Sequence, residues 1–252
     1  MIKKKSRDEI KLMKIAGDIV AQVHLAMKDA VKPGVTTAEL DELAYDIIKK
    51  NKAIPTFKGY RGFPGTICAS INDEVVHGIP SDKRILKDGD IIAVDVGATF
   101  RGLVGDSAWT YAVGNVSDEC KLLLEGTEKA LFAAIDKMRA GNTLNDVGGA
   151  VEDVAKEYKF GIVRQYGGHG VGRNMHEDPF VFNYRTGDNT ILKPGMTIAI
   201  EPMLNLGGDA VYEHDDGWTV STVDKRASAH FEHTILVTED EPVILTSLSG
   251  KQ

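Results

Sequence analysis

An internal repeat restricts the possible folds of this chain more than any other feature of its sequence. The segment LKDGDIIAVD at 86–95 matches LKPGMTIAIE at 192–201, and both segments end in a carboxylate after an apolar run. Upstream, KPGVT at 32–36 and RAGNT at 139–143 are separated by nearly the same interval. Repeated supersecondary units are sought first because missing them misassigns the whole fold.

The motifs also follow the same order in the two halves. Each half carries a helix, a Gly-x-Thr turn, a second helix, a His-x-x-Pro segment, a strand that ends in an acidic residue, and a second acidic strand. A shared order is much less expected by chance than a single match. It predicts a single domain over 1–252, built from two related α+β halves at about 1–115 and 118–252. A repeat whose halves share no site is the alternative.

Composition excludes several classes of protein. The net charge of -7 argues against a nucleic-acid binder, which needs a basic surface. No apolar run approaches the roughly 18 residues of a membrane span, and the basic start lacks the apolar segment of a signal peptide. Only Cys68 and Cys120 occur, so a disulfide framework and a thiolate zinc site are not expected. These features predict a cytoplasmic protein without a membrane partner.

Hydrophobic periodicity predicts the main elements. Helices are expected at 7–30, after Thr36 (with Glu39 supporting its start), at 118–138 and at 144–157. Strands are expected at 66–69, 90–98, 104–113, 161–166, 196–204, 218–223 and 228–238.

Two aspartates lie on the hairpin formed by the strands 90–98 and 104–113. A turn centred between Phe100 and Arg101 would place Asp95 directly opposite Asp106. Opposed side chains lie about 4.5–5.5 Å apart, where like charges repel, and a carboxylate in an apolar strand is costly unless it is protonated, paired or bound to metal. A surface hairpin with two solvated acids is the alternative.

Glu201 and Glu232 occupy the repeat-related places in the second half. Four carboxylates in one cleft require cations, and two divalent ions would balance their charge. His169, in YGGHGVG, is a fifth candidate ligand, since the segment matches no phosphate-binding pattern. This oxygen-rich set suits manganese, iron, cobalt or zinc, and two such ions can activate water for hydrolysis.

Other histidines have less distinct patterns. His77 and His176 are repeat-related and precede Pro-containing loops, so they are candidates for substrate contact or for support of the metal ligands; a structural hydrogen bond is the alternative. Strand alternation places His230 on the face of Glu232, as an additional candidate, and points His233 the other way.

Together these motifs resemble the type I methionine aminopeptidases of the short bacterial class, from about residue 5 to 248. The motifs that carry the resemblance are INDEVVHGIP (71–80), GDIIAVDVG (89–97), GDS (105–107), GHGVG (168–172) with HEDP (176–179), KPGMTIAIEP (193–202) and FEHT (231–234). The resemblance implies the pita-bread fold, an α+β architecture of two pseudo-symmetric halves around a curved antiparallel sheet.

The resemblance also implies roles for the metal ligands. Asp106 and Glu232 would bridge two divalent ions, cobalt, manganese, iron or zinc. Asp95 would hold one ion, and His169 and Glu201 the other. Glu201 would additionally accept the proton of the attacking water.

Further roles follow from the same resemblance. His77 would contact the substrate backbone, and His176 would donate to the scissile carbonyl. The methionine side chain would bind among six residues that, taken singly, read as ordinary core: Phe57, Tyr60, Phe63, Cys68, Met175 and Trp218. Asn72 and Ser228 match a monovalent-cation site of some members. Three positions differ from residues that are common in the family: Gly167, Phe57 and Arg61. These differences bear on the inhibitor profile and on the fine substrate preference.

The implied activity is removal of the N-terminal methionine from nascent proteins when the second residue is small. The implied enzyme is a monomer that associates transiently with the ribosome. An Xaa-Pro aminopeptidase or prolidase would share the ligands but usually carries an extra N-terminal domain. A type II methionine aminopeptidase carries an inserted subdomain between the last two glutamates, and the segment between Glu201 and Glu232 is too short to contain it. A non-catalytic peptide-binding protein would have lost ligands. A dinuclear phosphohydrolase would need basic residues near the metals.

Overall fold

The computed structural model describes residues 2–248. Its helices are α1 (Arg7–Ala30), α2 (Thr37–Lys50), α3 (Asp118–Ile135) and α4 (Leu144–Tyr158), with a short 3-10 helix at Tyr60–Gly62. The strands of the first half are β1 (Ile54–Pro55), β2 (Ile67–Ile71), β3 (Glu74–Val76), β4 (Ile91–Phe100) and β5 (Leu103–Ala112). Those of the second half are β6 (Gly161–Ile162), β7 (Gly168–Gly170), β8 (Glu177–Val181), β9 (Thr197–Ile200), β10 (Met203–Asn205), β11 (Val211–Glu213), β12 (Val220–Thr222), β13 (Ser228–His230), β14 (His233–Leu236) and β15 (Val243–Ile244).

Capping residues determine where the helices begin. Ser6 accepts a hydrogen bond from the backbone of Glu9, whose side chain accepts one in return, and Thr36 and Glu39 form the same box before α2. Such reciprocal bonds satisfy backbone donors that the first turn of a helix leaves unpaired. The predicted helix at 7–30 and the predicted support from Glu39 are therefore confirmed.

The hairpin β4–β5 differs from the predicted register. The turn consists of residues 101–102, both with positive φ (48° and 79°), a conformation typical of two-residue hairpin turns that twist with the strands. The pairing is therefore Asp95 with Ala108 and Asp106 with Gly97, and the prediction that the two aspartates are directly opposed is wrong. Both aspartates still point to one face as diagonal neighbours, because the shift is even.

Two predicted strands of the second half are interrupted: 196–204, which is divided between β9 and β10, and 228–238. The segment 228–238 contains β13, which pairs with β10, and β14, which pairs with β9. Between them the backbone N–H of Phe231 donates to Pro202 O, and that of Glu232 donates to Ala108 O. The chain thus changes sheets at 231–232, and this change places Glu232 against β5.

Antiparallel sheets of the two halves are covered by separate helix pairs. In the first half β4 pairs with β5, β2 and β1, and in the second half the order is β15-β14-β9-β7-β8. One buried cluster joins α1 and α2 to this first sheet through residues such as Val20, Ile48 and Val94. Another joins α3 and α4 to the second half through residues such as Leu131 and Ile198. The opposite faces of the sheets remain available for a site.

Three buried hydroxyl groups connect β5 to the segment 228–236 of the other half. The bonds are Ser107 Oγ to Glu232 O (2.6 Å), Thr110 Oγ1 to His230 O (2.7 Å) and Thr234 Oγ1 to Asp106 O (2.8 Å). Because buried polar groups that lack a partner are costly, these bonds determine how the two halves are aligned.

Candidate metal centre

Five predicted ligands come together from five separate chain segments. Asp95 lies on β4, Asp106 on β5 and His169 on β7, while Glu201 directly follows β9 and Glu232 lies between β13 and β14. All five line one cavity of about 280 Å³. The structure thus brings together side chains that are up to 137 residues apart in the chain.

The ligand atoms lie at distances suitable for shared cations. Ligand atoms of Asp106, His169 and Glu232 all lie within 4.8 Å of one another. His169 Nε2 is 3.8 Å from Asp106 Oδ2 and 3.5 Å from Glu201 Oε1. Asp95 belongs to the same cluster. Burial raises its pKa well above the usual range, and the nearby charge of Asp106 raises it further.

Unpaired buried oxygen atoms show that this site fits divalent ions. Asp95 Oδ1, Asp106 Oδ1 and Glu232 Oε1 are buried without a hydrogen-bond partner. Burial raises the pKa of Asp106 to about 7 and the pKa values of Asp95, Glu201 and Glu232 well above their ordinary range. Buried charges are stable only when they are paired or coordinate metals, so cations are the natural partners of these oxygens.

His169 is oriented as a metal ligand. Its Nδ1–H donates to Gly170 O at 3.0 Å, which leaves the Nε2 lone pair facing the carboxylates. Burial lowers its pKa to about 4, so the imidazole is neutral. A Cβ at Gly168 would lie 2.3 Å from Ala199 O, and one at Gly170 2.1 Å from Asp178 O, so the flanking glycines permit the close backbone packing that holds this strand.

His77 and His176 lie at the rim of the same cavity. Nδ1 of His176 and the Tyr60 hydroxyl share a hydrogen bond of 3.0 Å, and the His176 ring centroid is 4.2 Å from that of His169. His77 has a φ of 62° and contacts Trp218 edge-on. Such a φ is uncommon outside glycine and concentrates at functional sites. Burial lowers the pKa of His77 to about 4.

A buried ion pair holds the loop that carries His176. Lys5 Nζ donates to Glu177 Oε2 at 2.8 Å, and both side chains are less than a tenth exposed. Glu177 Oε1 also accepts from the backbone N–H groups of Arg173 and Asn174. The segment before α1 thereby stabilises the position of His176 in the cavity.

An apolar pocket adjoins the carboxylates. Phe63 meets Trp218 edge-on, with ring centroids 5.1 Å apart. All six residues predicted for the methionine pocket line the cavity: Phe57, Tyr60, Phe63, Cys68, Met175 and Trp218. A buried apolar wall of this kind favours an apolar side chain.

Several lining residues were not predicted from the sequence. They include Val76, Gln165, Tyr166 and Phe180, whereas His230, which also lines the cavity, was indicated by strand alternation. Gln165 and Tyr166 directly precede the Gly-Gly-His segment, and this adjacency is the signal that could have identified them.

Asn72 and Ser228 lie away from the carboxylates. The backbone N–H of Ser228 donates to Asn72 O at 2.9 Å, and Asn72 has a φ of 55°. The monovalent-cation site predicted there stays a prediction. Within residues 2–248, no helix is long and apolar enough to cross a membrane.

Known proteins resemble this chain over almost its whole length. The model of metallopeptidase family M24 matches residues 11–239. Methionine aminopeptidase 1 of Bacillus subtilis is 50% identical over 247 residues, which cover 98% of this chain and 99% of that protein. The crystal structure of methionine aminopeptidase from Thermotoga maritima superposes with a TM-score of 0.96 at 44% identity, covering 98% of this chain and all of that one.

A prolidase is a more distant structural relative. The enzyme from Pyrococcus horikoshii superposes with a TM-score of 0.79 at 26% identity, and this chain spans only 63% of its length. The pita-bread fold expected from the motifs is confirmed, and the prolidase alternative is not favoured. The chain belongs to metallopeptidase family M24 and, within it, to the type I methionine aminopeptidases.

Proposed function

We propose that the chain releases an N-terminal methionine with two divalent ions held by Asp95, Asp106, His169, Glu201 and Glu232. The observation that carries the proposal is the convergence of these five side chains in one cavity, directly beside an apolar pocket. Cobalt, manganese, iron and zinc all suit the donor set. Such a pair of ions, when bound, lowers the pKa of water towards neutrality and polarises a carbonyl group.

The carboxylates and histidines have distinct proposed roles. Asp106 and Glu232 would hold both ions, Asp95 would hold one of them, and Glu201 and His169 would hold the other. Glu201 accepts the proton of the attacking water, since its buried carboxylate lines the cavity beside the positions that the ions would occupy.

The rim histidines position the substrate. His176 donates to the carbonyl oxygen of the scissile bond as negative charge develops there, and its contact with Tyr60 holds the ring in place. His77, which lines the same cavity, contacts the substrate backbone. Its pKa of about 4 keeps it uncharged, so it binds by hydrogen bonding and not by charge.

The apolar pocket selects the methionine side chain. Phe57, Phe63, Cys68 and Met175 are nearly fully buried around it. Their aromatic and sulfur-containing side chains pack well against a thioether. We propose a small second residue in the substrate, because the histidines and the ions crowd the scissile bond.

The cellular setting of this activity extends the proposal. N-terminal methionine occurs on newly made chains, so we propose nascent proteins as substrates, a transient association with the ribosome, and a monomer in the cytoplasm. A monovalent cation held near Asn72 and Ser228 would support the loop at residues 71–74.

Peptide turnover tests the proposal. Purified protein loaded anaerobically with Mn²⁺ or Co²⁺ should release methionine from Met-Ala-Ser and Met-Gly-Met-Ser and should spare Leu-started peptides. Glu201→Gln should lower the rate by roughly 10²–10⁴-fold, because it removes the general base. Equal turnover of Xaa-Pro peptides, or a mild effect of Glu201→Gln, would contradict the assignment.

A further inference from the structure

We infer that His230 is a positioning residue: the N–H of its Nε2 donates to the Glu201 carboxylate and holds that base in the orientation needed for proton transfer. This inference rests on the proposed function and adds a residue to it. Four observations support it: the fixed backbone of His230, the position of its ring, the lack of any other hydrogen-bond partner for its two nitrogens, and the contrast with His169.

The backbone of His230 is fixed from two directions. Its N–H donates to Thr110 Oγ1 at 2.9 Å, and its carbonyl oxygen accepts from the same hydroxyl at 2.7 Å. The residue also ends β13, where it pairs with Met203. A side chain held on such a rigid element can place its ring accurately.

The ring points into the metal centre. His230 is only 1% exposed, yet it lines the cavity that contains the carboxylates. Its Nε2 is 3.6 Å from Glu201 Oε2 and 4.0 Å from Glu232 Oε2. Catalytic hydrogen bonds are often long before substrate binds and tighten in the complex.

Both ring nitrogens of His230 are buried without a hydrogen-bond partner. An imidazole carries at least one N–H, on either Nδ1 or Nε2, whatever its protonation state. Only Nε2 faces acceptors that could receive this proton, the carboxylate oxygens of Glu201 and Glu232. The proton is accordingly placed on Nε2.

Comparison with His169 separates positioning from metal binding. A ligating histidine almost always donates its other N–H to a carbonyl or carboxylate, as His169 does through Nδ1 to Gly170. His230 Nδ1 has no such acceptor. If Nε2 of His230 bound an ion, the N–H would have to stay on Nδ1 and remain buried and unpaired, which is unfavourable.

Substitutions of different reach test the inference. His230→Leu keeps a buried side chain but removes the donor. His230→Gln places an amide Nε2 the same number of bonds from Cα as the imidazole Nε2, whereas His230→Asn falls one bond short. His233→Leu is the matched control, since His233 is a neighbouring histidine whose Nδ1 bonds to Thr246 outside the cavity.

Kinetics and metal titration should separate the outcomes. For Met-Ala-Ser we expect kcat to fall roughly 10–100-fold in His230→Leu and His230→Asn, with little change in KM, and to recover largely in His230→Gln. Calorimetric titration with Mn²⁺ should show the same number of bound ions in the wild type and in His230→Gln. His233→Leu should keep the wild-type kcat. Far-ultraviolet circular dichroism confirms that each variant is folded.

Two results would overturn the inference. If His230→Gln were as slow as His230→Leu and bound fewer ions, the imidazole would be a metal ligand. If His230→Leu kept the wild-type kcat, the residue would have no role in positioning.

The contact can also be tested without turnover, which separates this inference from the proposed function. If the wild type released no methionine, the proposed function would fail. A crystal structure of the Mn²⁺-loaded protein would still show whether the contact forms. We expect His230 Nε2 to lie about 2.7–3.2 Å from Glu201 Oε2. His230 Nε2 within bonding distance of an ion would refute it.

Discussion

At the scale of single residues, the four buried carboxyl groups set the chemistry of the centre. Asp95, Asp106 and Glu232 each have an oxygen atom without a partner, and these groups have raised pKa values because burial disfavours their charged forms. Protons and divalent ions therefore compete for the same oxygens. The balance between them depends on pH.

Metal binding should release protons. With the pKa of Asp106 at about 7, and those of its neighbours also raised, the metal-free centre holds protons at neutral pH that bound ions must displace. Affinity for Mn²⁺ should therefore rise from about pH 6 to about pH 8. Calorimetry in two buffers with different ionisation enthalpies counts the released protons. Asp106→Asn should release fewer, and a pH-independent affinity would contradict the account.

A pocket residue should affect substrate binding more than chemistry. Phe63 is 3% exposed and packs against Trp218. Phe63→Ala should lower kcat/KM for Met-Ala-Ser roughly 10–100-fold, mainly through KM, because apolar contact with the methionine side chain is lost. Phe132→Ala is the control, since Phe132 lies outside the cavity on α3. An unchanged KM in a folded Phe63→Ala protein would remove Phe63 from the pocket.

Sequence patterns identified the acidic residues but not all of their surroundings. Asp95 and Glu201 could be recognised because each ends a repeated apolar segment, and the Gly-rich segment around His169 made that residue conspicuous. His230 could be recognised only as an additional candidate, because strand alternation places it on the face of Glu232. Its place in the cavity depends on the change of sheet after β13 and on Thr110, which is 120 residues away. Tertiary contacts of this kind cannot be read from local periodicity.

At the scale of elements, hydroxyl groups between β5 and the segment 232–234 hold Asp106 and Glu232 in position. Thr234 Oγ1 donates to Asp106 O at 2.8 Å and accepts from Asp106 N–H at 3.2 Å, and Ser107 Oγ donates to Glu232 O. The two acids are therefore held through their own backbone groups. Removing the hydroxyl of Thr234 should therefore displace Asp106, a proposed metal ligand, although Thr234 itself is not a proposed ligand.

Thr234→Val tests this connection. Valine has a similar shape but no hydroxyl, so the buried N–H and C=O of Asp106 lose their partner, which should cost about 1–3 kcal/mol of the free energy of unfolding. Affinity for Mn²⁺ should also fall. Thr222→Val is the matched control, because buried Thr222 bonds to Arg226 O away from the ligands and should lose stability alone. Equal metal affinity in both variants would show that Thr234 does not position Asp106.

Long helices were predicted better than short strands. The helices α1 and α2 carry capping boxes, so both limits of α1 and the start of α2 followed from the sequence. Strands of two or three residues, such as β6 and β13, are too short for a periodic pattern and form only because a neighbouring strand pairs with them. The register of β4 and β5 was mispredicted because the turn chemistry of 101–102 was not recognised.

At the scale of the whole molecule, two helix-covered sheets present their free faces to one site. The two hydrophobic cores are separate, one with α1 and α2 and the other with α3 and α4. The first half contributes Asp95 and Asp106 from within β4 and β5, and the second half contributes Glu201 after β9 and Glu232 before β14. The repeated order of motifs predicted this arrangement, whereas the hydroxyl groups that join the halves and the ion pair between Lys5 and Glu177 required the structure.

A crystal structure of the protein grown with Mn²⁺ tests the central claim most directly. Anomalous scattering should show two ions about 3.5–4 Å apart, both in contact with the carboxylates of Asp106 and Glu232. Asp95 should reach one ion, and His169 and Glu201 the other. A single ion, or two ions that share neither Asp106 nor Glu232, would contradict the account.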